Sequence, residues 1–183
     1  EFRRVLFRSR LTLEEIHRFA NAAVAVDGSL RWDVTRLMAH LRDGLRRVAS
    51  RDIQARSFST DSWGVDYLLL DGEGRILEPV HHYRDARCHR GVERAHAVLP
   101  QETIFDETGI QFMAINTVFQ LASEDPARLR AARSFLMIAD AFNHLLGGRP
   151  CIEVSNASTS QLYNPRTRQW SGDRKSTRLN SSH

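Results

Sequence analysis

The stretch Asp61-Ser62-Trp63-Gly64-Val65-Asp66 runs into Tyr67-Leu68-Leu69-Leu70 and then Asp71-Gly72-Glu73-Gly74, and it decides the reading of this chain. Val65 to Leu70 reads as a strand. Asp71-Gly72-Glu73-Gly74 is a hairpin signal, returning through Ile76 and Leu77 to Pro79. Glycine between an indole and a strand lets a ligand come close to the backbone. Trp63 offers an apolar face with one N–H, which suits a polyol, and Asp66 can accept from hydroxyls. The same residues also read as an ordinary bulge with a core tryptophan.

Upstream, Leu11 to Phe19 alternates as a strand. Val24 and Val26 lead into the turn Asp27-Gly28, and Leu30 to Trp32 resumes apolar character. Asp33 is placed to cap a helix in which Val34, Leu37, Met38, Leu41, Leu45 and Val48 form one apolar stripe. Its other face carries Arg36, Arg42, Asp43, Arg46 and Arg47, a solvated surface. Ile53 to Thr60 reads as a further strand.

Downstream, Val92 to Leu99 and Gln101 to Glu107 read as helices around Pro100, the second ending at Gly109. Asn116 to Ala122 is a short helix stopped by Asp125-Pro126. Ser134 caps a helix through Leu146, and Gly147-Gly148 ends it. Cys151 to Ser155 reads as a strand, with a polar stretch from Asn156 to Gln161. Strands early and helices late predict an α/β domain.

Composition narrows the function classes. The chain has 183 residues, 42% apolar and 26% charged, enough for a core and too ordered in pattern for a disordered segment. No apolar run reaches the roughly 18 residues of a membrane helix, so no membrane partner is expected. Two Cys make no disulfide framework, and a cytoplasmic setting is the expectation. The net charge of +4 sits in the two ends, +2 in residues 1–9 and +2 in residues 173–183, so residues 10–172 sum to zero. The basic balance therefore points to no nucleic-acid partner. Residues 1–9 and 173–183 read like the two strands of one sequencing adapter, translated in frame. Residues 10–172 are then expected to be an internal piece of a longer reading frame. A pair of nucleic-acid-binding tails is the rival reading.

Two further constellations invite chemistry. His81, His82, Cys88, His89 and His96 lack zinc-ligand spacing and read as surface histidines, with no metal site expected. Thr108 to Thr117 mixes apolar residues with Gln111 and Asn116, which suits a carboxamide reaching into a neutral polar pocket. Asn116 as a helix cap is the simpler explanation for that residue. Walker, GxGxxG, GxSxG and HExxH motifs are absent.

Taken in order, these segments resemble the FGGY carbohydrate kinase family. The stretches are Leu11 to Phe19, Trp32-Asp33-Val34, Asp61 to Asp66 and His82-Tyr83-Arg84-Asp85. They continue through Thr108 to Thr117, Phe119-Gln120-Leu121, Asn156 to Leu162 and Trp170. The resemblance implies a partial actin-like, ribonuclease-H-like N-terminal kinase domain, a mixed sheet with flanking helices. Within the family it is to the branch that phosphorylates the 1-hydroxyl of L-rhamnulose, with ATP and Mg2+, in L-rhamnose catabolism. It implies sugar contact at Gly64. Trp63, Asp66 and Gln111 are added from their chemistry. The resemblance puts the catalytic base beyond residue 172 and assigns no nucleotide-site residue within the chain, so the chain alone is expected to be inert. Ser62, Ser59 and Ala114 depart from the family pattern, leaving another sugar kinase of the family as an alternative. A non-catalytic actin-like module binding a polyol or a protein is another. Arg84 and Asp85 either face the cleft or form a buried ion pair.

Overall fold

The computed structural model describes residues 12–172. The two adapter-like ends, 1–9 and 173–183, lie outside the described residues, as does Leu11. The described residues cluster into two units, one of residues 12–21 with Thr35–Ser57 and one of Ala22–Val34 with residues 58–172.

The smaller unit is built on α1 (Val34–Ser50), which begins one residue after Asp33 as the apolar stripe requires. Val34, Leu37 and Met38 are buried, while Arg42, Arg46 and Arg47 are exposed. Residues 12–21 run alongside without strand pairing. Phe19 stacks on His40 with ring centroids 4.2 Å apart, and Glu14 pairs with Arg51.

The larger unit opens with the expected hairpin of β1 (Val24–Val26) and β2 (Ser29–Arg31), turned by Asp27 and Gly28 at φ 50° and 76°. β3 (Tyr67–Leu70) is buried along its whole length. It pairs antiparallel with β4 (Ser134–Met137), Tyr67 opposite Met137 and Leu70 opposite Ser134. Its other edge meets the returning hairpin, where Leu77 N–H donates to Leu69 O at 2.8 Å. Four helices follow β3 in the chain before β4: α2 (Arg87–His96), α3 (Gln101–Thr108), α4 (Thr117–Ala122) and α5 (Pro126–Ala131). Gly109 ends α3 in the left-handed region at φ 70°, its N–H returning to Phe105 O. Asp125 caps α5 by accepting from Ala127 N–H. Then come α6 (Ile138–Leu145), α7 (Val154–Thr159) and a closing pair, β5 (Tyr163–Asn164) with β6 (Gln169–Trp170).

The α/β class holds, and among the described residues the strands form three antiparallel pairs. Three local readings change. Residues 12–19 and 53–60 carry a strand pattern but no strand assignment, because that pattern is a potential for pairing and the described chain offers these segments no ladder. Leu13 is left 85% exposed and Phe58 58%. Ser134 to Leu146 is a strand followed by a helix. A continuous apolar run satisfies either, and the open edge of β3 takes its first four residues. Val154 to Thr159 is helical, because the Glu153 carboxylate accepts from Ser155 and Asn156 N–H and fixes a helix start.

One ion network joins several elements. Glu124 pairs with Arg87 at 3.0 Å and with Arg128 at 2.5 Å, and Tyr67 OH donates to it at 2.6 Å. Burial alone would raise the Glu124 carboxyl, but Arg87, Tyr67 and Arg128 hold it below the usual range. Arg87 also donates to Gln120 O at 3.1 Å, so the network grips α4.

Candidate functional site

The bend before β3 is strained and tightly held. Asp66 N–H donates to Gly64 O at 2.9 Å, a two-residue-span bond that makes a γ-turn about Val65. Val65 has φ 67°, a region that β-branched residues rarely enter. Such strain costs about 1–3 kcal/mol and persists only where the surroundings over-determine it. Here Thr117 Oγ1 and Gln120 Nε2 both donate to Val65 O, at 2.7 and 3.2 Å. Gln120 Nε2 also lies 3.0 Å from Asp66 Oδ1 and 2.9 Å from Ile115 O.

Asp66 is fully buried. Its Oδ2 accepts from two indoles, Trp32 Nε1 at 2.5 Å and Trp63 Nε1 at 2.9 Å. Burial raises its carboxyl above the ordinary carboxylate range against the pull of Trp32, Gln120 and Trp63. Trp63 itself is half-buried, with its ring 4.3 Å from that of Trp32 and edge-on to Phe142.

Gly64 is exposed, and nothing in the fold demands a glycine there. Its φ lies outside the left-handed region, and a Cβ would meet only Thr159 Oγ1, at an ordinary 3.9 Å. Its carbonyl is taken by Asp66, while its N–H has no partner among the described residues. An exposed glycine with a free donor on a rigid bend is what a neutral ligand needs for close backbone approach.

The first turn of α4 ties the bend to the loop at 110–116. Asn116 occupies the cap position without capping. Its Nδ2 donates to Gln111 O at 3.0 Å and to Gln161 Oε1 at 2.8 Å. Gln161 returns to Ile110 O at 3.0 Å. The carboxamide that grips the bend is therefore Gln120. Gln111 presents an exposed side chain with no hydrogen bond among the described residues, although its backbone carbonyl belongs to the same network. Sequence reasoning missed Trp32 and Gln120 as site-builders, since a glutamine on a helix with apolar neighbours carries no separate signal.

Arg84 and Asp85 do not pair. Asp85 is buried and fastens the first hairpin, accepting from Ser29 Oγ at 2.7 Å and Leu30 N–H at 2.6 Å, while Arg84 is exposed over the Tyr83 ring. The histidines are not all superficial. His82 is buried between Trp32 and Tyr83, with both ring centroids at 4.3 Å. Burial, with Arg87 nearby, lowers His81 to about 4. Among the described residues no group of three or more His, Cys, Asp or Glu is placed to hold a metal. Two cavities of about 250 and 450 Å3 lie away from Gly64, one against Phe112 and Gln161 and one against Trp32 and Pro79.

Comparison with known proteins fits this geometry. The profile of the FGGY family of carbohydrate kinases, N-terminal domain, matches residues 15–175. Rhamnulokinase of Enterococcus faecalis is 40% identical over 168 residues, which make up 92% of this chain and 34% of that relative. Rhamnulokinase of Mannheimia succiniciproducens is 39% identical over 164 residues, 88% of this chain and 34% of the relative. The chain thus spans about a third of the length of the curated relatives it matches. Among solved structures, xylulose kinase from Rhodospirillum rubrum superposes with a TM-score of 0.73 at 19% identity, covering 90% of this chain and 36% of that one. Xylulose kinase from Lactobacillus acidophilus gives 0.72 at 14% identity, covering 84% and 32%. These two likenesses speak for the fold, a partial actin-like, ribonuclease-H-like domain. With its bend, its α4 clamp and its hairpin all inside the matched region, this chain belongs to the FGGY family of carbohydrate kinases.

Proposed function

We propose that this chain is the sugar-contacting part of an ATP-dependent kinase whose substrate is L-rhamnulose, phosphorylated at the 1-hydroxyl. The observation that carries the reading is Gly64: exposed, free at its N–H, not required by the fold, and carried on a strained turn that four side chains hold. The identity to rhamnulokinases favours L-rhamnulose over other ketoses.

The roles follow from the geometry. Gly64 N–H donates to a sugar oxygen. Trp63 contributes an apolar face, its N–H being committed to Asp66. Asp66, read from sequence as a hydroxyl acceptor, has both oxygens engaged and acts through the bend it fixes. Gln111 supplies an outward amide from the neighbouring loop. A fixed sugar is worth much in phosphoryl transfer, where positioning and electrostatic stabilisation do most of the catalysis.

ATP and Mg2+ are the proposed co-reactant and ion for the whole protein, and the cytoplasm its proposed setting. The part assigned to this chain is sugar positioning. No helix among the described residues is long and apolar enough to cross a membrane.

The test is a melting curve of the chain with L-rhamnulose, D-xylulose and glycerol at millimolar concentration. L-rhamnulose is expected to raise the melting temperature, by linkage, and the other two to leave it unchanged. Gly64→Val is expected to abolish the shift while melting like wild type without sugar. Equal shifts with all three, or none, would remove the reading. The chain without added partners is expected to release no ADP from ATP and L-rhamnulose.

A further inference from the structure

We propose that Thr159 is a sugar-contacting residue that sets specificity, its hydroxyl forming the rim opposite the Gly64 N–H. The inference rests on the assignment of a ketose to the Gly64 bend.

Thr159 is the last residue of α7 and is exposed, as Gly64 is. Among the described residues, chain neighbours aside, its Oγ1 is the one heavy atom within 4 Å of the Cβ position that Gly64 leaves empty, at 3.9 Å. The Thr159 hydroxyl donates to Asn156 O at 2.8 Å. Its proton is therefore spent, and its lone pairs are available for accepting. An unpartnered donor at Gly64 and an available acceptor at Thr159 thus border the same open space.

The two rims are fixed by one element. Val65 O, next to Gly64, accepts from Thr117 and Gln120 of α4. Ser160 O, next to Thr159, accepts from Val118 N–H of the same helix at 3.1 Å. Ser160 and Gln161 are buried, and Gln161 is locked to Asn116 at the start of α4. The separation of the rims is therefore set by a short rigid helix and not by a free loop. A donor and an acceptor held at constant spacing complement a hydroxyl, which both accepts and donates, or two neighbouring oxygens of a polyol. A ligand lacking a hydroxyl at that position leaves the Thr159 lone pair dry, and a pocket built to hydrogen-bond a hydroxyl discriminates against such analogues.

The experiment titrates L-rhamnulose into wild type, Thr159→Val, Thr159→Ser, Ser158→Ala and Gly64→Val, with the sugar-free melting temperature recorded for each. Ser158 Oγ donates to Ser155 O at 2.7 Å, the same local bond one residue earlier, so Ser158→Ala reports a purely helical role. Thr159→Val is expected to weaken binding about five- to tenfold, the worth of one neutral hydrogen bond. Thr159→Ser and Ser158→Ala are expected to stay within about twofold. Wild-type affinity in Thr159→Val, with binding lost in Gly64→Val, would overturn this inference and leave the bend reading standing. Equal loss in Thr159→Val and Thr159→Ser would show that keeping the hydroxyl does not keep the affinity and would also overturn it. Absence of binding by wild type would overturn both readings together.

Discussion

Gly91 and Gly64 are both glycines of the larger unit, and they are glycine for opposite reasons. At Gly91, on α2, a Cβ would sit 1.8 Å from Phe119 O and 2.7 Å from its carbonyl carbon, so the helix crossing with α4 exists only because the side chain is missing. At Gly64 a Cβ would meet one hydroxyl at 3.9 Å and otherwise open space. The first glycine is explained by packing. The second is not, and a residue that packing leaves unexplained is where function is to be sought. Both sites meet on α4, whose Phe119 backs against Gly91 while Thr117 and Gln120 hold the bend.

This contrast can be broken or sharpened by substitution. The largest effect is expected from Glu124→Gln, which strands the Arg87 and Arg128 charges in the interior. Removing one partner of such a buried pair costs about 3–5 kcal/mol, read as a lowered urea midpoint. Gly91→Ala is expected to cost about 3 kcal/mol through overpacking against a backbone that cannot yield, again read by denaturation. Gln120→Leu removes a donor from Val65 O and Asp66 Oδ1 and should cost about 1–3 kcal/mol. It should also change Trp63 fluorescence, a readout that loss of stability alone leaves unmoved in the folded protein.

Acid should act through His81. Its folded value of about 4 lies below its ordinary 6.5, so the unfolded chain takes up a proton first. The stability this provides is complete above pH 6.5 and is lost as pH falls towards 4. The groups facing it are Asp85, Glu124, Arg87 and Arg128. Both of these carboxyls are held below their ordinary values, against the effect of burial. Asp66 works with the opposite sign, since burial raises its carboxyl and falling pH favours the folded form. His81→Gln is expected to flatten the decline in melting temperature between pH 6.5 and pH 4. The smallest change in stability, under about 0.5 kcal/mol, is expected from Gly64→Ala, with the sugar response nonetheless lost.

Much of the framework was legible in the amino-acid order. The stripe from Val34 to Val48 specified α1, Asp27-Gly28 the first hairpin, and Gly109 the end of α3, because each rests on local chemistry. What could not be read there depends on partners distant in the chain. Ser134 to Met137 became a strand only because β3 offered an edge, and residues 53–60 stayed unpaired for want of one. Trp63 and Gly64 stood out as a pair, since an indole beside a glycine has few local explanations. The positive φ of Val65 had no signal, since a β-branched residue argues against it. Gln120 and Thr159 were equally silent, one hidden among apolar helix neighbours and the other in a run of small polar residues.

The peptide groups at the bend carry a consequence for chemistry the site should refuse. The Gly64 carbonyl accepts from Asp66, and the Gly64 N–H is left as a donor without a partner among the described residues. An ammonium has no lone pair to offer it. An amino sugar whose protonated nitrogen faces the Gly64 N–H would meet donor against donor, and an otherwise identical ketose should displace it from the chain.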